Sequence, residues 1–521
     1  MFSIPICRNG FAALLLLLFS LPSFAQSFRV QCPPTTTLHP TALPAGAGEP
    51  AYVGPSVTGS NSTPTKNVNG AIKCQQISGG DGYATMGDGT QTYMFSFGPL
   101  SGLADIRNGL PGTEFASVFN VVGDAKNDPN YNGAVGLAPD PDSVPAGLLT
   151  GHVDPRPIMD IGVMNGNIPA PTMAIDEDDE FFLTLTNVGM IMRPDLFEQH
   201  TVHFHGYPNA SAFFDGVPDA SVAINIGASF TYYYLAPDAG TYFWHCHITP
   251  PEHLQMGMVG QIYVRPRQNR VKAGTQLYAS LVAQQSDPRT ACGSDILCST
   301  PLPPQNSVLH MNNKSGTPTL YAYNDGDGST AYDVEYPVQI HGFDPNFHFI
   351  GMTFNPEPFV DMKDKHFMLN GRSYPDTVTP GPMQTPVADG SKHYSQPLPA
   401  LINIPAGGRA LLRISDLDVT EFQTLASLGI PMHVIGMNAR LLRDLAGNDM
   451  TYNTNSVTLG GGESIDVILD ASDTTKYAPG SVYYLYTPNL DHLSNDAENF
   501  GGLMTEVHIC HSVDPTTKSC S

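Results

Sequence analysis

The chain is short of positive charge. Its 521 residues hold 24 lysines and arginines against 48 aspartates and glutamates, a formal net charge of −24. A surface of that sign repels phosphate backbones and anionic bilayers, which argues against nucleic acid and membrane as partners. Long apolar runs are missing beyond residue 25, so no membrane-spanning helix is expected there. Charged residues make up only 14% of the chain, while glycine and proline number 50 and 46. Sparse charge with abundant turn formers fits an all-β protein of many short strands.

Paired CxxC spacing is absent from the eight cysteines. Cys7 falls in an N-terminal stretch with the features of a secretory leader: Arg8, an apolar run from Phe11 to Phe19, and Ser23-Phe24-Ala25 before Gln26. Residues 1–25 are therefore expected to be removed as a signal peptide, leaving a soluble, exported chain of about 500 residues, periplasmic or extracellular, with two or three domains. If Cys246 binds metal, Cys32, Cys74, Cys292, Cys298, Cys510 and Cys520 remain. An even remainder in an exported chain indicates disulfides, most simply between neighbours along the sequence, although other pairings stay open.

What is present is concentrated in two histidine motifs. Tyr242-Phe243-Trp244-His245-Cys246-His247 is followed by His253 and Met258, and His200-Thr201-Val202-His203-Phe204-His205-Gly206 lies upstream. Two imidazoles, one thiolate and a weak axial thioether are the donors of a type 1, blue copper centre, used for one-electron transfer. Side chains alternate along a strand, so His245 and His247 point one way and Cys246 the other. The same parity separates His200 from His203 and His205. His200, Cys246, His253 and Met258 can thus converge on one copper, leaving His203, His205, His245 and His247 as four imidazoles on the opposite face.

These motifs resemble those of the multicopper oxidase family, laccase-like proteins built from cupredoxin domains. In the family's HxxHxHG pattern the first histidine serves type 1 copper, the second type 2 and the third type 3. The resemblance thus implies that His200 is a type 1 ligand, and that His203 and His205 serve type 2 and type 3 copper. It likewise implies type 3 roles for His245 and His247, and type 1 roles for Cys246, His253 and Met258. His245, Cys246 and His247 would be the catalytic core. Asn165 to Thr172, Phe214 to Pro218 and Ala239 to Tyr242 also read like a first cupredoxin domain. Met368 to Asp376 and Gly460 to Ile468 resemble a second one, of the kind that usually carries no copper. The step from Cys246 to His253 is longer than in the common laccase-like motif, and Pro250 and Pro251 in the added loop keep it rigid.

The expected architecture is all-β: two cupredoxin-like Greek-key β-sandwich domains with an irregular N-terminal extension. Residues 26–90 are Pro-, Gly-, Ser- and Thr-rich and are expected to be that extension. A copper-binding domain then covers 91–266, its first strand at Tyr93 to Phe97, with an insertion over 101–157 and strands resuming at Ile158. A linker or irregular stretch covers 267–330, a second domain without copper 331–511, and a tail 512–521.

Family resemblance implies an oxygen-reducing cluster held by four HxH pairs shared between two domains. Only two such pairs occur in these 521 residues. The missing half must come from another cupredoxin chain or a homo-oligomeric neighbour, or else the chain is an electron-transfer or copper-binding protein. A copper nitrite reductase is a weaker alternative, because that family has an aspartate where this chain has His203. The expected partners are O2 and a reducing substrate, which could be a phenol, a metal ion or a protein donor. Glu252, beside His253, could accept a proton or guide a cationic substrate.

Overall fold

The computed structural model describes residues 30–33, 35–39, 71–119, 155–207, 212–236, 238–285, 301–313, 316–351, 358–386 and 392–521. The expected leader, Cys292, Cys298 and most of the expected insertion lie outside these residues.

Two β-sandwiches account for the strands. In the first, β1 (Ile72–Thr85), β2 (Gln91–Pro99), β3 (Glu114–Phe115), β4 (Met173–Asp176), β5 (Glu180–Gly189), β6 (His203–Phe204), β7 (Ser229–Leu235), β8 (Gly240–His245) and β9 (Val259–Arg265) follow in chain order. One sheet has the order β2-β1-β5-β7 with β3 beside β1, and the other the order β4-β9-β8-β6. Between them lies an aromatic-rich core that includes Phe95, Phe97, Tyr232, Trp244, Met256 and Met258.

The first sheet begins one strand earlier than the sequence suggests. Residues expected in the extension form β1, which pairs in parallel with β5 and antiparallel with β2. Its sequence IKCQQISGGDGYAT has no apolar alternation because both faces are covered, and Gln75, Gln76 and Ser78 are buried with the apolar residues. Ile158 does not restart a strand. It lies in the helix Pro155–Gly162, and the next strand is β4. Proline at the first helical position favours this start.

The second sandwich pairs two sheets. One has the order His366–Leu369, Val334–Phe343, Arg409–Asp416, Ser464–Asp470, Met432–Met437 and Arg440–Leu441. The other runs Ile402–Pro405, Met504–Cys510, Val482–Tyr486, Gln423–Leu428 and Ser456–Leu459. Strand signals at Leu401 to Pro405, Ala410 to Ile414, Met432 to Gly436 and Ser481 to Tyr486 match these strands to within a residue at their starts. The linker region is not featureless, since it holds the helix Leu277–Gln285 and the ribbon Leu320–Tyr321 with Ala331–Tyr332.

The sheet of β8 and β9 is pressed between the first sandwich's core and the second sandwich. Gln261 Nε2 donates to the Arg413 carbonyl at 2.8 Å, and Thr241 Oγ1 to Asp466 at 2.6 Å. Arg265 and Arg413 both reach Glu335, at 2.5 and 3.1 Å. Disulfides Cys32–Cys74 and Cys510–Cys520 join sequence neighbours, and Cys246 is a free, buried cysteine.

Candidate metal centre

Register sets the first part of the site. In the antiparallel β6–β8 pair His203 faces His245, and Phe204 faces Trp244. The pairing continues past the strand ends, where His205 N donates to the Phe243 carbonyl at 2.9 Å and His247 N to Thr201 Oγ1 at 3.1 Å. Alternation then divides the donors. His200, Cys246 and His253 bring ligand atoms within 4.8 Å of one another, and His203, His205 and His245 do the same separately.

The first group is wholly buried. Cys246 Sγ lies 3.4 Å from His253 Nδ1, and His253 Nε2 lies 3.6 Å from Glu198. Met258 closes the loop, accepting from Cys246 N at its carbonyl and donating its own N–H to His253 O, both at 2.9 Å. Both Met256 and Met258 are fully buried. Neither ring nitrogen of His200 has a hydrogen-bond partner among the described residues. Burial holds its imidazole well below the ordinary histidine value, with His253 adding to the effect. An enclosed neutral imidazole with two bare nitrogens loses its hydration without return unless something binds it. Beside a free thiol and a second imidazole, a metal ion is the occupant that fits.

His253 behaves differently. Burial works against its charged form, but Cys246 and then Glu198 carry it up to about 9. A carboxylate on the far nitrogen is the usual support of a ligating imidazole, fixing its orientation and raising its basicity. His253 sits in the short helix Pro250–Gln255, which has proline at its start and fills the longer Cys246-to-His253 step. That helix is anchored through Gln255. Its carbonyl accepts from His341 Nε2 at 3.0 Å, and its side chain meets His348 at 2.9 Å, Asp344 N at 3.1 Å and Asp364 at 2.5 Å.

In the second group, backbone carbonyls fix the tautomers. His203 Nδ1 donates to Asp215 O at 2.6 Å and His245 Nδ1 to Cys246 O at 2.7 Å. Each Nε2 is thereby left with its lone pair. The Asp215 carbonyl is delivered by a turn that only glycine allows, since Gly216 has φ +83° and a Cβ there would sit 2.1 Å from Val202 O. His205 Nε2 is 3.1 Å from His245 Nε2. Burial first, then the neighbouring imidazoles, hold His205 and His245 down at about 4 and about 3. His247 stands at the margin, its ring 5.2 Å from that of His203 and 5.4 Å from that of His245. A cleft of about 560 Å³ opens beside this group, lined by His203, His205, Tyr207, Asp215, Asn438 and Arg440 among others.

Six of the eight expected site residues thus fall in the two clusters, with His247 at the margin of the second and Met258 tied by its backbone to Cys246 and His253 of the first. Glu198, Asp215 and Gln255 were not expected as parts of the site. Glu198 stands two residues before His200, so the same alternation that sorts the histidines marks it. Gln255 carries no such signal, because its partners come from the other sandwich. Glu252, the acid singled out beside His253, is pushed up by burial and makes no ion pair with His253 among the described residues.

A family model described as multicopper oxidase matches residues 151–269. The laccase abr2 of Aspergillus fumigatus is 34% identical over 109 residues, 20% of this chain and 17% of that protein. The L-ascorbate oxidase of Cucumis sativus is 32% identical over 113 residues, again 20% and 17%. The chain thus spans about a sixth of the length of these curated relatives. A blue copper oxidase from Nitrosomonas europaea aligns over 84% of this chain and 85% of its own, at 16% identity and a TM-score of 0.47. Residues 151–269, which hold both histidine motifs, are thus the part of this chain that is similar to multicopper oxidases.

Proposed function

We propose that the chain is a copper-dependent oxidoreductase of the multicopper oxidase kind, taking electrons from a reducing substrate and delivering them to O2. The observation that carries this reading is the division of six donors into two clusters, His200, Cys246 and His253 in one and His203, His205 and His245 in the other, joined by the adjacent residues His245 and Cys246. His200, Cys246, His253 and Met258 would hold type 1 copper. His203, His205, His245 and His247 would supply half of a type 2 and type 3 site. Bound copper supplies the one-electron redox chemistry and the reduction of dioxygen.

The protein's own part is to hold donors and exclude water. Burial of His200 and Cys246 keeps solvent from the first set. Glu198, half-buried, sets its carboxylate 3.6 Å from His253 Nε2 and marks the edge nearest solvent. The peptide bonds flanking Cys246 make a covalent path between the two sets. The cleft beside His203 and His205 leaves that side accessible to a second cupredoxin chain or another copy of this one. A second reading, an electron carrier with type 1 copper alone, is favoured by the lack of any other HxH in the sequence. Export, to the periplasm or outside the cell, is supported by the two disulfides.

Copper content, visible absorption and oxygen uptake test the proposal together, with ascorbate and a phenol as donors because the relatives include an ascorbate oxidase and laccases. The oxidase reading expects more than one copper per chain in an oligomer, an intense thiolate-to-copper band, and oxygen uptake. One copper with the band but no uptake supports the carrier. Absence of the band overturns both.

A further inference from the structure

A third group of ligating side chains forms where the tip of the β1–β2 hairpin meets the second sandwich. Asp88 in the hairpin turn, His366 at the start of the strand His366–Leu369, and Asp496 each bring one ligand atom within 4.8 Å of the others. Tight packing keeps the segments together. A Cβ on Gly87 would lie 2.5 Å from the Asn495 side chain, and Asp496 N donates to Lys365 O at 2.8 Å.

His366 is only 2% exposed, and its Nδ1 has no hydrogen-bond partner among the described residues. Among the described residues neither Asp88 nor Asp496 forms an ion pair with the ring. Two carboxylates and one enclosed imidazole therefore lie within 4.8 Å of one another without an ion pair to the ring among the described residues. A single proton on the ring could serve only one of them, whereas an ion between the three would satisfy all.

We propose that Asp88, His366 and Asp496 bind a divalent cation of the zinc class, which fastens the first sandwich's hairpin to the second sandwich. One imidazole nitrogen with two carboxylate oxygens suits Zn²⁺, and water would complete the coordination. Calcium needs about six to eight oxygens, more than are here, and cuprous ion prefers sulfur. The ion's role is structural, since it bridges segments of both sandwiches.

The test is equilibrium dialysis of the full-length protein against zinc chloride with metal analysis, beside the same protein carrying D88N and D496N. The native chain should retain one more zinc per chain, and zinc should raise its melting temperature more than that of the variant. Equal zinc content overturns the proposal. D496N alone, at an exposed residue, should weaken this zinc about tenfold or more, and unchanged affinity likewise overturns it. Because both proteins keep the same copper donors, the result does not depend on how those sites are filled.

Discussion

Gln255 donates to Asp364 at 2.5 Å, tying the helix that carries His253 to the second sandwich. The orientation of a donor in one domain is thus set by hydrogen-bond partners in the other. Gln255→Leu should leave the strands intact and free the helix. We expect copper retention to fall about 10–100-fold, with a weakened visible band and an unchanged far-ultraviolet spectrum. Native absorption in the variant would mean that the helix holds its place without Gln255.

Cys246→Ser should abolish the visible band altogether, because the hydroxyl is a poor replacement for thiolate at copper. The metal-free variant should still fold, losing about 1–3 kcal/mol for a buried hydroxyl in place of the thiol. Urea denaturation of both metal-free proteins measures that difference.

Gly79 backs onto His200, and a Cβ there would sit 2.7 Å from the imidazole carbon Cδ2. Gly79→Ala must displace the ring or the strand. A shifted or weakened absorption band with preserved β-sheet signal is the expected outcome, read by absorption and circular dichroism.

Glu335 lies between Arg265 and Arg413, and although burial raises its carboxyl, the two guanidinium groups bring it down to about 2. Since this carboxyl is depressed on folding, its contribution is fully present above the unfolded value near 4.5 and is lost as pH falls toward 2. Glu335→Gln removes the carboxylate that two buried arginines share and should cost about 3–5 kcal/mol at neutral pH. The variant should also lose part of the native acid sensitivity, as denaturant titrations at descending pH would record.

Asp364 has the opposite sign. Burial, and then Asp418, hold its carboxyl well above the usual range, so it stays protonated in the fold. Folding then binds a proton that the unfolded chain releases, and stability falls as pH rises above about 4. Asp364→Asn should flatten that slope between about pH 5 and 8. An unaltered slope would assign the effect elsewhere.

The donors were legible because strand alternation is a strong code: His200 and Cys246 on one face, His203, His205 and His245 on the other. Strands such as Ser229–Leu235 announced themselves through β-branched and aromatic residues bounded by turns. β1 did not, because a strand covered on both faces has no apolar rhythm, and its buried glutamines look like surface. Gln255 and the Asp88, His366 and Asp496 group join segments far apart in the chain, and local patterns carry no trace of such meetings.

β6 is an edge strand of only two residues, His203 and Phe204, and the cleft opens along it. The tautomers of His203 and of its β8 neighbour His245 are already fixed by the carbonyls of Asp215 and Cys246. A partner arriving at this rim would meet donors in their working orientation, so assembly could proceed as rigid-body docking with little ordering cost. If the proposed oxidase site is completed across this rim, activity would depend on protein concentration, fading on dilution by dissociation while each chain kept its fold and its colour.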